Sequence, residues 1–271
     1  MRRATAFFRF VLIAATIAAA ACEIVDPDVP PGLDDRLILV AALNPDSTRH
    51  PVMVWPAQLS DTVRGALARI YRAKDGSSGS EWTLVDETND IEHFDICRWW
   101  YGYKRGPEGQ CLVPVAKLED GVTYRVEVLA EEKHTAWGDT KAVGDFAIDA
   151  AELSGGEVDS LSAEWTRSAA AHRYMVSLRL LQSGNVVASY AEGWYIAVDE
   201  MSVTTPVPEE AIEDAITPIT LDVAAMAVHL YSFITSGNAG SAFSVPPLQN
   251  VSGGFGVVGS VRFRSLGVKR K

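Results

Sequence analysis

Cysteine is scarce in this chain, three residues in all, and histidine is little commoner at five. No two cysteines form a C-x-x-C pair, and His50, His93, His134, His172 and His229 are scattered, so no local zinc signature can be written from them. The H-E-x-x-H, Walker and G-x-S-x-G motifs are missing too, which removes the local signatures of metalloproteases, phosphate-binding loops and nucleophile elbows. A catalytic triad assembled only in space leaves no such trace, so a hydrolase of envelope or extracellular polymers stays open. Basic residues are also few, 24 against 35 acidic, for a formal net charge of −11. That balance argues against nucleic acid as a partner.

A long apolar span is lacking as well. The uncharged run from Phe10 to Ala21 has twelve residues, short of the roughly 20 that cross a bilayer. Preceded by Arg2, Arg3 and Arg9, it reads as an export signal over residues 1–21, to be excluded from the fold. Ala19 and Ala21 suit cleavage to a secreted protein. With Cys22 next, Ala19-Ala20-Ala21-Cys22 also resembles a bacterial lipobox, in which the cysteine sulfur receives a diacylglycerol and the new N-terminus is acylated. Each buried acyl methylene contributes about 0.8 kcal/mol, so two or more chains hold a protein on a membrane stably. Residues 22–35, rich in Pro and Asp, read as a flexible tether.

With Cys22 lipidated, Cys97 and Cys111 remain, and an oxidising compartment favours their disulfide. Closing that loop is worth roughly 3 kcal/mol on the chain-entropy account. A two-cysteine metal site or a reactive thiol is the competing reading. Between the cysteines lie Arg98, Trp99, Trp100, Tyr101 and Tyr103. Rings rimmed by cations suit stacking on sugars or on a protein partner's hot-spot residues. A loop that folds back to cover a sheet edge or sandwich end with these rings is the simpler reading, since adjacent large rings left exposed invite aggregation.

From Arg36 onward, short apolar runs separated by turn residues predict strands, with a domain boundary near residue 152. Residues 36–151 are expected to form an immunoglobulin-like or fibronectin-like β-sandwich, and 152–271 a second β-rich domain of sandwich type. In VTYRVEVLA (122–130), Val122, Tyr124, Val126 and Val128 alternate against Thr123, Arg125 and Glu127. The spacing of Leu118, Gly121 and Tyr124 suggests a tyrosine corner, with the ring buried and the hydroxyl on nearby backbone; Tyr124 as a plain strand former is the simpler alternative. In HRYMVSLRLL (172–181), Tyr174, Val176, Leu178 and Leu180 should share a face. One helix is predicted in the second domain over 222–235, from the stripe Val223, Met226, Ala227, Leu230, Phe233 and Ile234, with Asp222 as N-cap and Gly237 beyond its end. His229 lies off that stripe.

Two apparent site motifs carry little. Gly254-Phe255-Gly256-Val257-Val258-Gly259 spells G-x-G-x-x-G, but no acidic residue follows it and VRFRS (261–265) reads as strand, so dinucleotide binding is rejected and the glycines are assigned to close backbone approach or a bulge. Glu92, His93 and Asp95 could meet a cation, but they lack the ordering glycine and terminal Glu of a calcium loop. No metal, cofactor or catalytic residue is assigned.

The order of Cys22 and its acidic tether, RLILVAALNPD, VRGALARIY, DGVTYRVEV leading into HTAWGDTKAVGDFAI (134–148), and above all AFSVPPLQNVSGGFGVVGSV (242–261) resembles an uncharacterised family of Gram-negative lipoproteins, domain of unknown function 4249. The resemblance implies a two-part, mostly β lipoprotein on the outer membrane, on its periplasmic or surface face, often associated with TonB-dependent receptors. It carries over no catalytic residue. The expected role is a non-enzymatic binding or accessory module; glycan binding and hydrolysis are the alternatives.

Overall fold

The computed structural model describes residues 36–57, 63–74, 81–91, 109–131, 133, 135–155, 159–182, 185–187, 195–198, 200–207, 216–237 and 250–270. Their strands, in chain order, are β1 (Leu37–Leu43), β2 (Val52–Pro56), β3 (Leu67–Ala73), β4 (Trp82–Thr88), β5 (Gln110–Leu112), β6 (Thr123–Leu129), β7 (Ala136–Lys141) and β8 (Ile148–Ser154). They continue as β9 (Ser160–Trp165), β10 (Arg173–Gln182), β11 (Asn185–Val187), β12 (Tyr195–Val198), β13 (Ser202–Pro206) and β14 (Ile216–Met226). The helix α1 (Val228–Gly237) precedes β15 (Val251–Ser252), β16 (Phe255–Gly267) and β17 (Lys269–Arg270).

Side-chain alternation explains the layering. In β1, Leu37, Leu39, Ala41 and Leu43 enter one core while Val40 and Ala42 enter another, so this continuous apolar run is a strand covered on both faces. It lies in an eight-stranded sheet ordered β11-β10-β14-β16-β1-β2-β5, with β12 also on β10. The first core joins the β1, β2 and β5 end of this sheet to a five-stranded sheet, β15-β7-β6-β3-β4, through Ile70, Tyr124, Val126 and Val128. The second joins the β10 and β14 end to a four-stranded sheet, β13-β9-β8-β17, through Leu153, Leu161, Trp165, Tyr174, Val176 and Leu178. These are two β-sandwiches. On the reverse face of the large sheet, Leu230 of α1 packs among Val40, Met226, Val257 and Val261. Each such aliphatic side chain removed from water contributes about 1.5–3 kcal/mol before entropic costs.

The tyrosine corner is present. Tyr124 is buried, and its hydroxyl accepts the Glu119 N–H at 2.8 Å. The second sandwich has its own, unmarked by any glycine in the sequence: Tyr174 is buried and its hydroxyl accepts the Ser168 N–H at 2.8 Å.

Three expectations change. The helix expected over 222–235 begins only at Val228; residues 222–226 belong to β14. Leu221, Val223 and Ala225 face the second core and Ala224 and Met226 the reverse face, so burial on both sides filled the strand with apolar residues and imitated a helical stripe. Asp222 caps no helix: it accepts hydrogen bonds from Arg179 at 3.0 Å and Ser265 at 2.5 Å. The boundary expected near residue 152 falls inside β8, whose Ala151 and Leu153 are buried while Ser154 is exposed. Finally, the first sandwich is not completed by residues 36–151. β16 pairs with β1 in parallel, from Ile38 opposite Phe255 to Leu43 opposite Ser260, and β15 pairs with β7.

The rejected glycine motif lies within β16 and just before it. Gly256 has φ +110° and lies so close to β1 that a Cβ would stand 2.0 Å from the Leu39 carbonyl oxygen; at Gly259 it would stand 2.4 Å from Cβ of Leu230. These glycines let β1 and α1 approach the strand, as close backbone approach requires.

β16 also crosses between the cores. Val258 lies in the first core and Leu266 packs against the second. Between them, on the same alternation, stand Ser260, Arg262 and Arg264. The Ser260 hydroxyl donates to the Leu43 carbonyl and accepts the Val143 N–H, both at 3.0 Å. Arg262, 6% exposed, makes two hydrogen bonds to Asp120 at 2.9 and 2.8 Å, and its Nε lies 3.2 Å from Asp46. Arg264 pairs with Asp46 at 2.5 Å and with Asp145. The two arginines hold Asp120 and Asp145 below the usual carboxylate range, chiefly by hydrogen bonding. The junction between the sandwiches is therefore a charged seam.

Candidate binding face

Most residues nominated from sequence lie outside the described residues: Cys22, Cys97, Arg98, Trp99, Trp100, Tyr101 and Tyr103, together with Glu92, His93 and Asp95. Cys111 is described; it is half-buried in β5 opposite Met53 of β2. His229 is half-buried on α1.

The described residues offer a different aromatic and cationic site. The five-stranded sheet turns Ala68, Ile70, Tyr124, Val126 and Val128 inward, so the alternating positions Arg69, Tyr71, Arg125, Glu127, Trp137 and Asp139 lie on its outer face. Register brings them together. Arg125 of β6 stands opposite Tyr71 of β3 and Asp139 of β7, while Tyr71 stands opposite Leu84 of β4. Arg125 donates from Nε and Nη2 to the two Asp139 oxygens at 2.7 and 2.9 Å. Its guanidinium lies 4.3 Å from the ring centre of Trp82 and 3.7 Å from that of Trp137. One cation thus bridges two indoles from strands on opposite sides of the sheet.

A second set of contacts fixes the neighbouring row. The Tyr71 hydroxyl donates to Glu127 at 3.1 Å, and burial together with that carboxylate raises the phenol above its ordinary value of 10, so it remains a donor. Arg69 binds Glu87 at 3.0 Å and lies 3.5 Å from Glu127. The charges are fixed by partners, and the apolar surface comes from Trp82, Trp137, Tyr71 and Leu84, the last 47% exposed. Rigid rings with held charges are the makings of a protein-recognition face. They suit sugar stacking less, because the ring faces turned to Arg125 are already occupied.

This site leaves little trace in the sequence. Its one local signal was the outward placement of Arg125 and Glu127; Trp82 and Trp137 lie 43 and 12 residues from Arg125, and only strand register brings them to it. Among the described residues, no three His, Cys, Asp or Glu side chains group as a metal site. No protein-family model matches this chain, and no curated protein matches it.

Proposed function

We propose that the chain is an exported lipoprotein of the cell envelope, anchored through Cys22, and that it serves as a non-enzymatic binding or accessory module, with a TonB-dependent outer-membrane receptor as its partner. The observation that carries the binding role is the outer face of the first sandwich, where the Arg125 guanidinium lies over the rings of both Trp82 and Trp137 beside an exposed Leu84. Large rings kept rigid before binding lose little entropy on association. Export and anchoring are supported by the signal-like residues 1–21 and the cysteine that follows. The resemblance to domain of unknown function 4249 belongs to the same proposal, as does closure of residues 97–111 by a Cys97–Cys111 disulfide carrying a second group of rings.

The test has two arms in a Gram-negative host. Palmitate labelling should mark the full chain and disappear in Cys22→Ala, with the protein leaving the membrane fraction; an unprocessed chain in the cytosol refutes the anchor. A TonB-dependent receptor should cross-link to the wild-type chain and be lost in Trp82→Ala with Trp137→Ala. Unchanged cross-linking by the folded double variant refutes this face.

A further inference from the structure

The sheet ends differ in how they are protected. β11 and β5 have three residues each, β12 four, and β15 and β17 two. β13 has five and ends in Pro206. β4 is the longest at seven residues, Trp-Thr-Leu-Val-Asp-Glu-Thr, with no Pro, Lys or Arg within it. Among the described residues only β3 pairs along it. Proteins usually blunt such an edge with a basic residue, a proline or a bulge. Here the protection is partial: the register with β3 slips at Val85, yet Val85 is 39% exposed.

Apolar surface gathers on this edge. Of the six large apolar side chains exposed among the described residues, Leu84 and Val85 lie on β4, Ile91 three residues beyond it, and Val115 beside it, its N–H donating to Asp86 at 2.6 Å. Their exposures are 47, 39, 50 and 58%. The same strip carries Glu81, Asp86, Glu87 and Asp90, against which the described residues set two cations, Lys74 on Glu81 and Arg69 on Glu87, so Asp86 and Asp90 carry the net negative charge. It is therefore apolar and acidic together, with a row of main-chain donors and acceptors.

We propose that the edge of β4 left unpaired among the described residues binds an extended segment of a partner protein in which aliphatic residues alternate with Lys or Arg. Main-chain hydrogen bonds would add the segment to the five-stranded sheet; its aliphatic side chains would meet Leu84 and Val85, and its cations Asp86 and Asp90, the carboxylates of the strip that carry no ion pair among the described residues. A second copy of this chain fits poorly, since two acidic edges would oppose each other. This assignment rests on the binding role proposed above and narrows it to strand addition, independently of Cys22 and of any particular receptor.

The experiment titrates the purified full chain at low salt with acetyl-Lys-Val-Lys-Val-Lys-Val-Lys-amide. Two control peptides are used, one methylated on the amide nitrogens of one edge and one with Glu in place of Lys. The unmodified peptide should bind with Kd on the order of micromolar, slow amide exchange in residues 82–88, and lose about tenfold in affinity on methylation and again on Val85→Lys, while the Glu peptide fails to bind. Equal binding of the methylated peptide, which uses the wild-type chain, reduces the contact to charge and overturns the proposal. So does absent binding, or unchanged binding to folded Val85→Lys. None of these outcomes bears on palmitate labelling at Cys22.

Discussion

The hydroxyl of Tyr174 accepts the backbone N–H of Ser168 at 2.8 Å, and Tyr124 does the same for Glu119 at the same distance. In both corners the residue two beyond the N–H donor has positive φ, Ala170 at 61° and Gly121 at 72°. Each sandwich thus closes one end with the same device. Replacing either tyrosine by phenylalanine keeps the ring and strands a main-chain donor, at a cost of about 1–3 kcal/mol. Because Ser168 is 1% exposed and the Glu119 contact only partly buried, Tyr174→Phe should lower the urea midpoint more than Tyr124→Phe, with m unchanged.

Ala170 adopts the left-handed conformation without being glycine. Ala170→Gly relieves the Cβ strain while adding freedom to the unfolded chain, for a net gain of about 0.5–1 kcal/mol. The expected result is a higher melting temperature; a lower one would show that the methyl contributes more by packing than it costs in strain.

Arg262 supplies most of the buried charge in the seam, whereas its partners are more open, with Asp46 38% and Asp120 45% exposed. Arg262→Ala leaves those carboxylates facing one another with less compensation. Loss of a well-paired buried ion costs about 3–5 kcal/mol, and the solvent reaching these partners reduces that here to about 2–3. Arg262→Lys keeps the charge but loses the paired fork, and should fall between the variant and the wild type. Chemical denaturation of the three proteins provides the ranking.

Asp120 and Asp145 have their folded pKa values depressed by Arg262 and Arg264, so their contribution to stability is present above the ordinary value of 3.8 and is lost as pH falls through the lower folded values. The stability of the wild type should therefore drop on acidification from about pH 4 downward, and Asp120→Asn should flatten that part of the profile.

His50 titrates in a different window. It is fully buried, its Nε2 lies 2.8 Å from the Ala116 carbonyl oxygen, so Nε2 carries the proton, and its Nδ1 has no hydrogen-bond partner among the described residues. Burial holds its pKa below 6.5. Below pH 6.5 the unfolded chain therefore takes up a proton that the folded chain resists, and stability declines until the folded value is reached. Thermal melts between pH 7.5 and 5 should show this slope, and His50→Gln should remove it.

Much of this fold was legible because half-buried strands repeat every two residues. The alternation around Tyr124 gave its strand, inward face and corner hydrogen bond, and the alternation of Tyr174, Val176 and Leu178 gave the inner face of β10. The second corner escaped notice because its left-handed residue is Ala170, so no glycine marked the turn. Residues 222–226 misled because a strand buried on both faces has no polar side to reveal its period. The outer-face site was illegible for another reason: Trp82, Arg125 and Trp137 are ordinary strand residues until two pairings set their register.

Local periodicity and turn chemistry were enough to make this chain a mainly β protein of sandwiches, with one helix among the described residues, since both act over a few residues and need no distant partner. Which strands share a sheet depended on long-range pairing: β16 runs from the first core to the second because Leu39 accepts a glycine at close range and three aspartates, far apart along the chain, meet Arg262 and Arg264. Such contacts have no local period, so only the folded chain could bring them together.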